Sequence, residues 1–173
     1  MKKSSKGAFT LIEIIIAITI LSIMMLYLYK SYASLNLSNT FYQKEATQIK
    51  ETKSKQKILF LDFSLLLFGE HEILKKDRKE DVVFLQTSNS IHGRINPYVA
   101  YVIKDARLYR IESYKKMTME NFGVERALDI DDFGEVKKFR VYENNSEKLY
   151  FLIDVAFENS SNLLLKVRSL NEY

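Results

Sequence analysis

The sequence predicts an α+β fold in which one long N-terminal helix, membrane-spanning in its first half, packs against a mostly antiparallel β-sheet domain. Three observations carry that prediction. Residues 9–29 form an apolar run interrupted by a single charged side chain, Glu13. Residues 31–68 contain neither proline nor glycine, so nothing in them interrupts a helix. From residue 82 onward the pattern changes to short segments rich in β-branched and aromatic residues, separated by turn-forming residues.

The apolar run is 21 residues long, and at ~1.5 Å per residue a helix of that length covers the ~30 Å hydrocarbon core of a bilayer. Lys2, Lys3 and Lys6 precede it. Cations flanking a first span are retained on the cytoplasmic side, so everything after Lys30 is expected to be exported. A cleaved secretory signal has a shorter apolar region, about 7 to 15 residues, with a small-residue exit site. Here the run ends in Met24, Met25, Leu26, Tyr27, Leu28, Tyr29 and Lys30, with no such exit. A plain signal anchor leaves Glu13 unexplained, because a carboxylate inside a span costs about 2.5–3.5 kcal/mol on insertion scales.

Composition bounds the rest. The 173 residues are 47% hydrophobic and 28% charged, enough for one membrane helix and one compact domain. The formal charge is +4, and removing the three leader lysines leaves +1. Bulk charge therefore makes no case for nucleic-acid binding, despite a pI near 9.0. Cysteine is absent, which excludes disulfides and thiolate metal sites.

Phe9-Thr10-Leu11-Ile12-Glu13, following the small residue Ala8, resembles the processing site of type IV pilins and type II secretion pseudopilins. The resemblance implies a pilin-like fold, leader cleavage between Ala8 and Phe9 by a prepilin peptidase, and N-methylation of Phe9. It also implies that Glu13 serves subunit assembly, its carboxylate pairing with the Phe9 amine of a neighbouring pilin or pseudopilin subunit. A buried charge then becomes half of an intermolecular ion pair, whose benefit is partner choice more than stability. The family usually has glycine before the cut. Cutting after Gly7 would make Glu13 the sixth mature residue, so the cut is placed after Ala8. The proline common in this helix is replaced by Lys30, and no kink is predicted there. Thr10 and Ser22 need no function, since hydroxyls in a membrane helix bond to preceding carbonyls.

On this reading residues 1–8 are a leader, 9–29 the transmembrane half of the helix, 30–69 its exported half and 70–173 a periplasmic β-rich domain. Residues 43–57 should be solvated on most faces, 58–68 should pack, and Gly69 should end the helix. A charged link is expected over 70–81. Strands are predicted over 82–86, 98–103, 108–113, 136–142, 149–157 and 163–167. In the fifth, Leu149, Phe151, Ile153, Val155 and Phe157 share one face and Asp154 takes the other. Hairpin turns are placed at Lys104-Asp105-Ala106, Asn144-Asn145-Ser146 and Asn159-Ser160-Ser161.

Residues 98–103 followed by 104–110, and Ala127-Leu128-Asp129 leading into 136–142, are similar to the strand patterns of J-type minor pseudopilins. That resemblance implies a place in a tip complex that primes a short periplasmic filament. The K-type tip subunit typically lacks the glutamate found here at Glu13. The same parts serve secretion, DNA uptake in competence, and surface pili, and the sequence leaves all three open.

No enzyme signature is present. His71 and His92 lie in unrelated contexts as surface residues, and there is no Gly-x-Ser-x-Gly elbow or glycine-rich phosphate loop. No catalytic residue, cofactor or metal is expected. The acidic segment 129–135 fails as an EF-hand loop, with Phe133 and Arg140 at ligand positions, and is read as a solvated loop, although some pseudopilins bind calcium. Lys115-Lys116, Lys137-Lys138-Phe139-Arg140 and residues 166–168 are basic next to aromatics. Glu120, Glu125, Asp129, Asp131 and Asp132 lie between them, so a solvated mixed-charge surface is preferred over DNA binding. The expected partners are the prepilin peptidase, other pilin or pseudopilin subunits and inner-membrane lipid. The location is a single pass of the inner membrane with the N-terminus cytoplasmic and the body periplasmic, incorporated in a pseudopilus. The competing reading is a single-span anchored periplasmic binding domain that is neither processed nor polymerised.

Overall fold

The computed structural model describes residues 10–121, 127–144, 148–158 and 161–171. Among them are one helix, α1 (Leu11–Ser64), and seven strands: β1 (Leu66–Lys75), β2 (Asp81–Thr87), β3 (Tyr98–Lys104), β4 (Arg107–Ser113), β5 (Asp129–Asn144), β6 (Tyr150–Phe157) and β7 (Leu163–Arg168). The strands form one antiparallel meander in sequence order. This is the predicted α+β architecture. The chain divides into two compact units, one up to Lys50 and the other from Glu51 onward.

Over residues 11–29, apart from Glu13, α1 is apolar on every face. Leu11, Ile23, Leu26 and Tyr29 are each more than 60% exposed, and the apolar stretch is long enough to cross a membrane. A helix with no polar face and no protein neighbour is matched to lipid. Its hydroxyls bond inward to the helix: Thr19 Oγ1 donates to the Ile16 carbonyl at 2.8 Å and Ser22 Oγ to that of Ile18 at 2.8 Å. Ser22 therefore behaves as expected.

In the second unit Leu59, Asp62, Phe63 and Ser64 of α1 are buried. The helix stops at Ser64, not at Gly69, and residues 66–75 are strand. Both the helix end at Gly69 and the charged link over 70–81 are thus corrected. An unbroken apolar run has no period that separates helix from strand. Pairing decides it: Leu66 sits opposite Thr87, and 71–75 opposite 81–85. Only a turn over 76–80 remains of the link, in which Asp77 Oδ1 accepts the N–H groups of Lys79 and Glu80 at 2.6 and 2.8 Å.

The other strands fall where alternation placed them, with β5 much longer. Its first half, 129–135, is paired to β4 and is not a loop. Phe133, 2% exposed, holds that half on the core while its carboxylates take cationic partners. On β6, Phe151, Ile153, Val155 and Phe157 all face inward as predicted. The main core gathers these with Leu59, Phe63, Val83, Val99, Tyr101, Leu108 and Phe139. Phe63 meets Tyr101 and Phe151 at ring separations of 6.2 and 5.1 Å. A smaller cluster of Val82, Phe84, Ala100, Ile111 and Met117 lies on the opposite face of β2–β4.

The β3–β4 hairpin turns on two residues, as predicted at Lys104-Asp105-Ala106, with Lys104 opposite Arg107. Asn145, Ser146, Asn159 and Ser160, from the other two expected turns, lie outside the described residues, as do Ala8 and Phe9. Both central residues of the first turn are left-handed, Asp105 at φ 51° and Ala106 at φ 59°, the type I′ geometry that favours glycine at the second position. An L-alanine there costs ~1 kcal/mol. Ala106→Gly should stabilise the protein by about 0.5–1 kcal/mol, read from the denaturation midpoint of the purified chain in detergent.

Candidate functional site

At the N-terminal end of α1, Thr10 donates twice to Glu13 Oε2, from its backbone N–H at 2.9 Å and from Oγ1 at 3.0 Å. Glu13 N–H returns a bond to the Thr10 carbonyl at 3.1 Å. Thr-x-x-Glu at a helix start is a capping arrangement in which the carboxylate satisfies a donor the helix would otherwise leave open. Thr10 therefore departs from its expected role: it holds Glu13 instead of bonding a preceding carbonyl. Among the described residues, Thr10 is the side-chain partner that positions Glu13, both bonds falling on Oε2.

Tyr27, Tyr29 and Tyr32 bracket Lys30 at the polar end of the apolar run, all strongly exposed. Amphipathic rings at that depth mark a membrane–water boundary. Sequence reasoning passed over them, although their clustering beside a lysine is a readable signal.

A second constellation lies where α1 meets the sheet. Asp62, Arg110, Glu112 and Tyr101 are all fully buried. Arg110 donates from Nε to Asp62 Oδ2 at 2.7 Å, from Nη2 to Asp62 Oδ1 at 3.2 Å and from Nη1 to Glu112 Oε2 at 2.7 Å. Tyr101 Oη donates to Asp62 Oδ2 at 2.5 Å and Asn89 Nδ2 to Oδ1 at 2.7 Å. Glu112 is completed by the Ser90 hydroxyl and by the Ile91 N–H at 3.2 Å. Burial opposes the charge on Arg110, yet the bonds and charge of Asp62 outweigh it and hold the guanidinium above its ordinary range. Burial likewise pushes Glu112 up, and the bonds from Ser90, Arg110 and Ile91 more than offset it, leaving the carboxyl below its usual value. Burial, reinforced by the Asp62 charge, raises the Tyr101 phenol well above its normal value. This is a fully bonded ionic cluster, the condition under which buried charge is tolerated.

A loop over 88–97 straps the cluster to β5. His92 Nε2 lies 3.1 Å from Asp131, and Arg94 donates to Asp129 Oδ2 at 2.8 and 2.6 Å while stacking 4.1 Å from the Tyr114 ring. His71 sits 3.1 Å from Glu143. The two histidines are thus apart, as expected, but each is partly buried against one carboxylate. Asp62, Arg110, Glu112 and Tyr101 were not singled out from sequence. The available signal was a lone carboxylate, Asp62, inside an apolar run, and a lone arginine, Arg110, inside a strand with Leu108 and Ile111.

The family model for the prokaryotic N-terminal methylation motif matches residues 3–29. With the long apolar helix and the antiparallel sheet, the motif is consistent with a type IV pilin-like, membrane-anchored chain, a class whose members are processed by prepilin peptidase and assemble with other pilin subunits. Members of that class are structural subunits. No curated protein and no solved structure matches the chain, so the sheet unit is read from its own chemistry.

Asp62→Ala leaves Arg110 half-paired in the core and should cost about 3–5 kcal/mol of stability, measured by denaturant unfolding of the full chain in detergent. Because the Glu112 carboxyl is held below its ordinary value of 4.5, its contribution is present above that pH and is lost as pH falls through the lowered value. Glu112→Gln should therefore flatten the acid side of the stability–pH profile. An unchanged slope below pH 4.5 would remove the assignment.

Proposed function

We propose that this chain is a minor pilin or pseudopilin that joins or primes a type II secretion-like or competence pseudopilus after its leader is cut between Ala8 and Phe9. Residues 1–8 are removed, 9–29 span the inner membrane, and the body is exported to the periplasm because Lys2, Lys3 and Lys6 hold the leader in the cytoplasm. Glu13 then pairs with the methylated Phe9 amine of a neighbouring subunit. The observation that carries this reading is the methylation motif over residues 3–29 with its one carboxylate presented on the first turn of α1.

The geometry supports a simple exchange. Glu13 accepts from Thr10 in the isolated chain, and an incoming ammonium would bond the remaining oxygen, converting a costly intramembrane carboxylate into a paired one. The J-type strand patterns favour a place in a priming complex over one along the shaft.

Mass measurement and N-terminal sequencing of protein from a membrane containing a prepilin peptidase should find a chain that begins at methylated Phe9. A chain still beginning at Met1 would defeat the reading. Ala8→Arg should leave the leader attached. Glu13→Ala should insert and be cleaved normally, yet copurify with other pilin-like subunits at less than about a tenth of the normal yield, consistent with loss of a buried ion pair. An unchanged yield would remove Glu13 from assembly.

A further inference from the structure

Strand β5 carries a run of acidic residues over 129–135 and then Lys137, Lys138 and Arg140, and the fold gives the acidic residues cationic partners. On the first half of β5, Asp129 is taken by Arg94 at 2.6 Å, Asp131 by His92 at 3.1 Å, and Asp132 and Glu135 by Arg107 at 2.6 and 3.1 Å. The second half of β5 carries Lys138, Arg140 and Tyr142 on its outward face. Strand register sets these beside the outward residues of β6 and β7 in rows. Tyr142, Leu152 and Lys166 form one row, Arg140, Asp154 and Leu164 the next, and Asn144, Tyr150 and Arg168 a third. Leu164 is 65% exposed, Tyr142 44% and Leu152 38%, while Lys166 and Arg168 are exposed at alternate positions of β7. Arg140 lies 5.5 Å from the Tyr142 ring and Lys166 5.1 Å from that of Tyr150. Asp154, the one acid among these outward residues, is held by Lys138, and Arg140 is paired with the buried Asp81 at 3.1 Å, so the cations on the β7 side of the face are Lys166 and Arg168.

The β1–β2 turn borders this face. Arg140 donates from Nη1 to the Asp77 carbonyl at 2.9 Å, and Phe139 N–H to that of Lys79 at 2.9 Å. That contact brings the exposed side chains of Lys75, Arg78 and Lys79 to its margin, with Lys76 paired to Glu80 at 3.2 Å.

We propose that the outward face of β5, β6 and β7, edged by the β1–β2 turn, is a binding platform for single-stranded nucleic acid. Single strands bind where a cationic surface follows the phosphates and aromatic rings lie beside it for unpaired bases to stack on. This face supplies both, in Lys166, Arg168, Tyr142 and Tyr150. A duplex hides its bases and would engage only the cations. The platform is independent of the Glu13 contact and goes beyond the filament role.

The test is fluorescence anisotropy of a labelled oligothymidylate of about twenty nucleotides with the full chain in uncharged detergent micelles. Binding should weaken from about 50 to about 200 mM salt with a log–log slope of about −2 to −3, as three or four phosphate contacts require. The double variant Lys166→Glu, Arg168→Glu should lose at least about tenfold in affinity. Tyr142→Ala should lose about fivefold or more for the single strand and little for a duplex of the same length. Lys115→Glu, on the loop after β4, should bind normally. Absence of binding at low salt, or affinity within about twofold of normal for the double variant, overturns the proposal. Equal affinity for duplex that Tyr142→Ala leaves unchanged overturns the single-strand assignment. Capture by anionic phosphatidylglycerol vesicles without oligonucleotide binding overturns it in favour of a lipid surface.

Discussion

The sheet unit depends on one buried ion pair, Asp62 of α1 with Arg110 of β4. Apolar contacts alone would hold Leu59 and Phe63 on the sheet, but they would tolerate a slip of the helix by one turn. The ionic cluster does not tolerate it. Moving Asp62 out of reach of Arg110, Tyr101 and Asn89 strands a charge in the interior, at a cost of several kcal/mol. What the pair contributes is register more than net stability, because desolvating both charges consumes much of their attraction. The whole sheet inherits that register, since β4 is central in a meander and each strand is placed by its neighbour.

A meander also decides where charge ends up. β5 exchanges partners along its length, pairing with β4 in its first half and β6 in its second. Gly134, at φ 97°, lies where its register with β4 shifts, and a strand with such irregularities bends and presents new side chains. The acidic half is neutralised by arginines from β4 and the 88–97 loop, while the basic half faces outward. Asp81, fully buried at the start of β2, ties that second half back by accepting the Val141 N–H at 2.9 Å and pairing with Arg140 at 3.1 Å.

The two ends of α1 place a carboxylate in two different solvents and satisfy it in two ways. Glu13 lies on an exposed first turn that is matched to lipid, and Thr10 bonds it there. Asp62 lies in a protein interior and is saturated by three side chains. The first has one partner among the described residues, Thr10. The second is locked, as its Oδ atoms both carry more than one bond.

Much of this was legible in the residues. The apolar run with its single carboxylate and preceding lysines determined a membrane helix and the processing motif, because length and hydropathy suffice for a span and the motif is local. Period-two alternation placed six of the strands for the same reason. What sequence reading missed depended on distant partners. β1 looked like a helix end until Leu66 met Thr87, and 129–135 looked like a loop until Arg107 and Arg94 neutralised its carboxylates. Asp62 and Arg110 are 48 positions apart, and no local pattern couples them. Burial and charge pairing are properties of the folded neighbourhood, so the buried cluster, and the pairing of the carboxylates of 129–135 with Arg94, His92 and Arg107, were decided by tertiary structure alone.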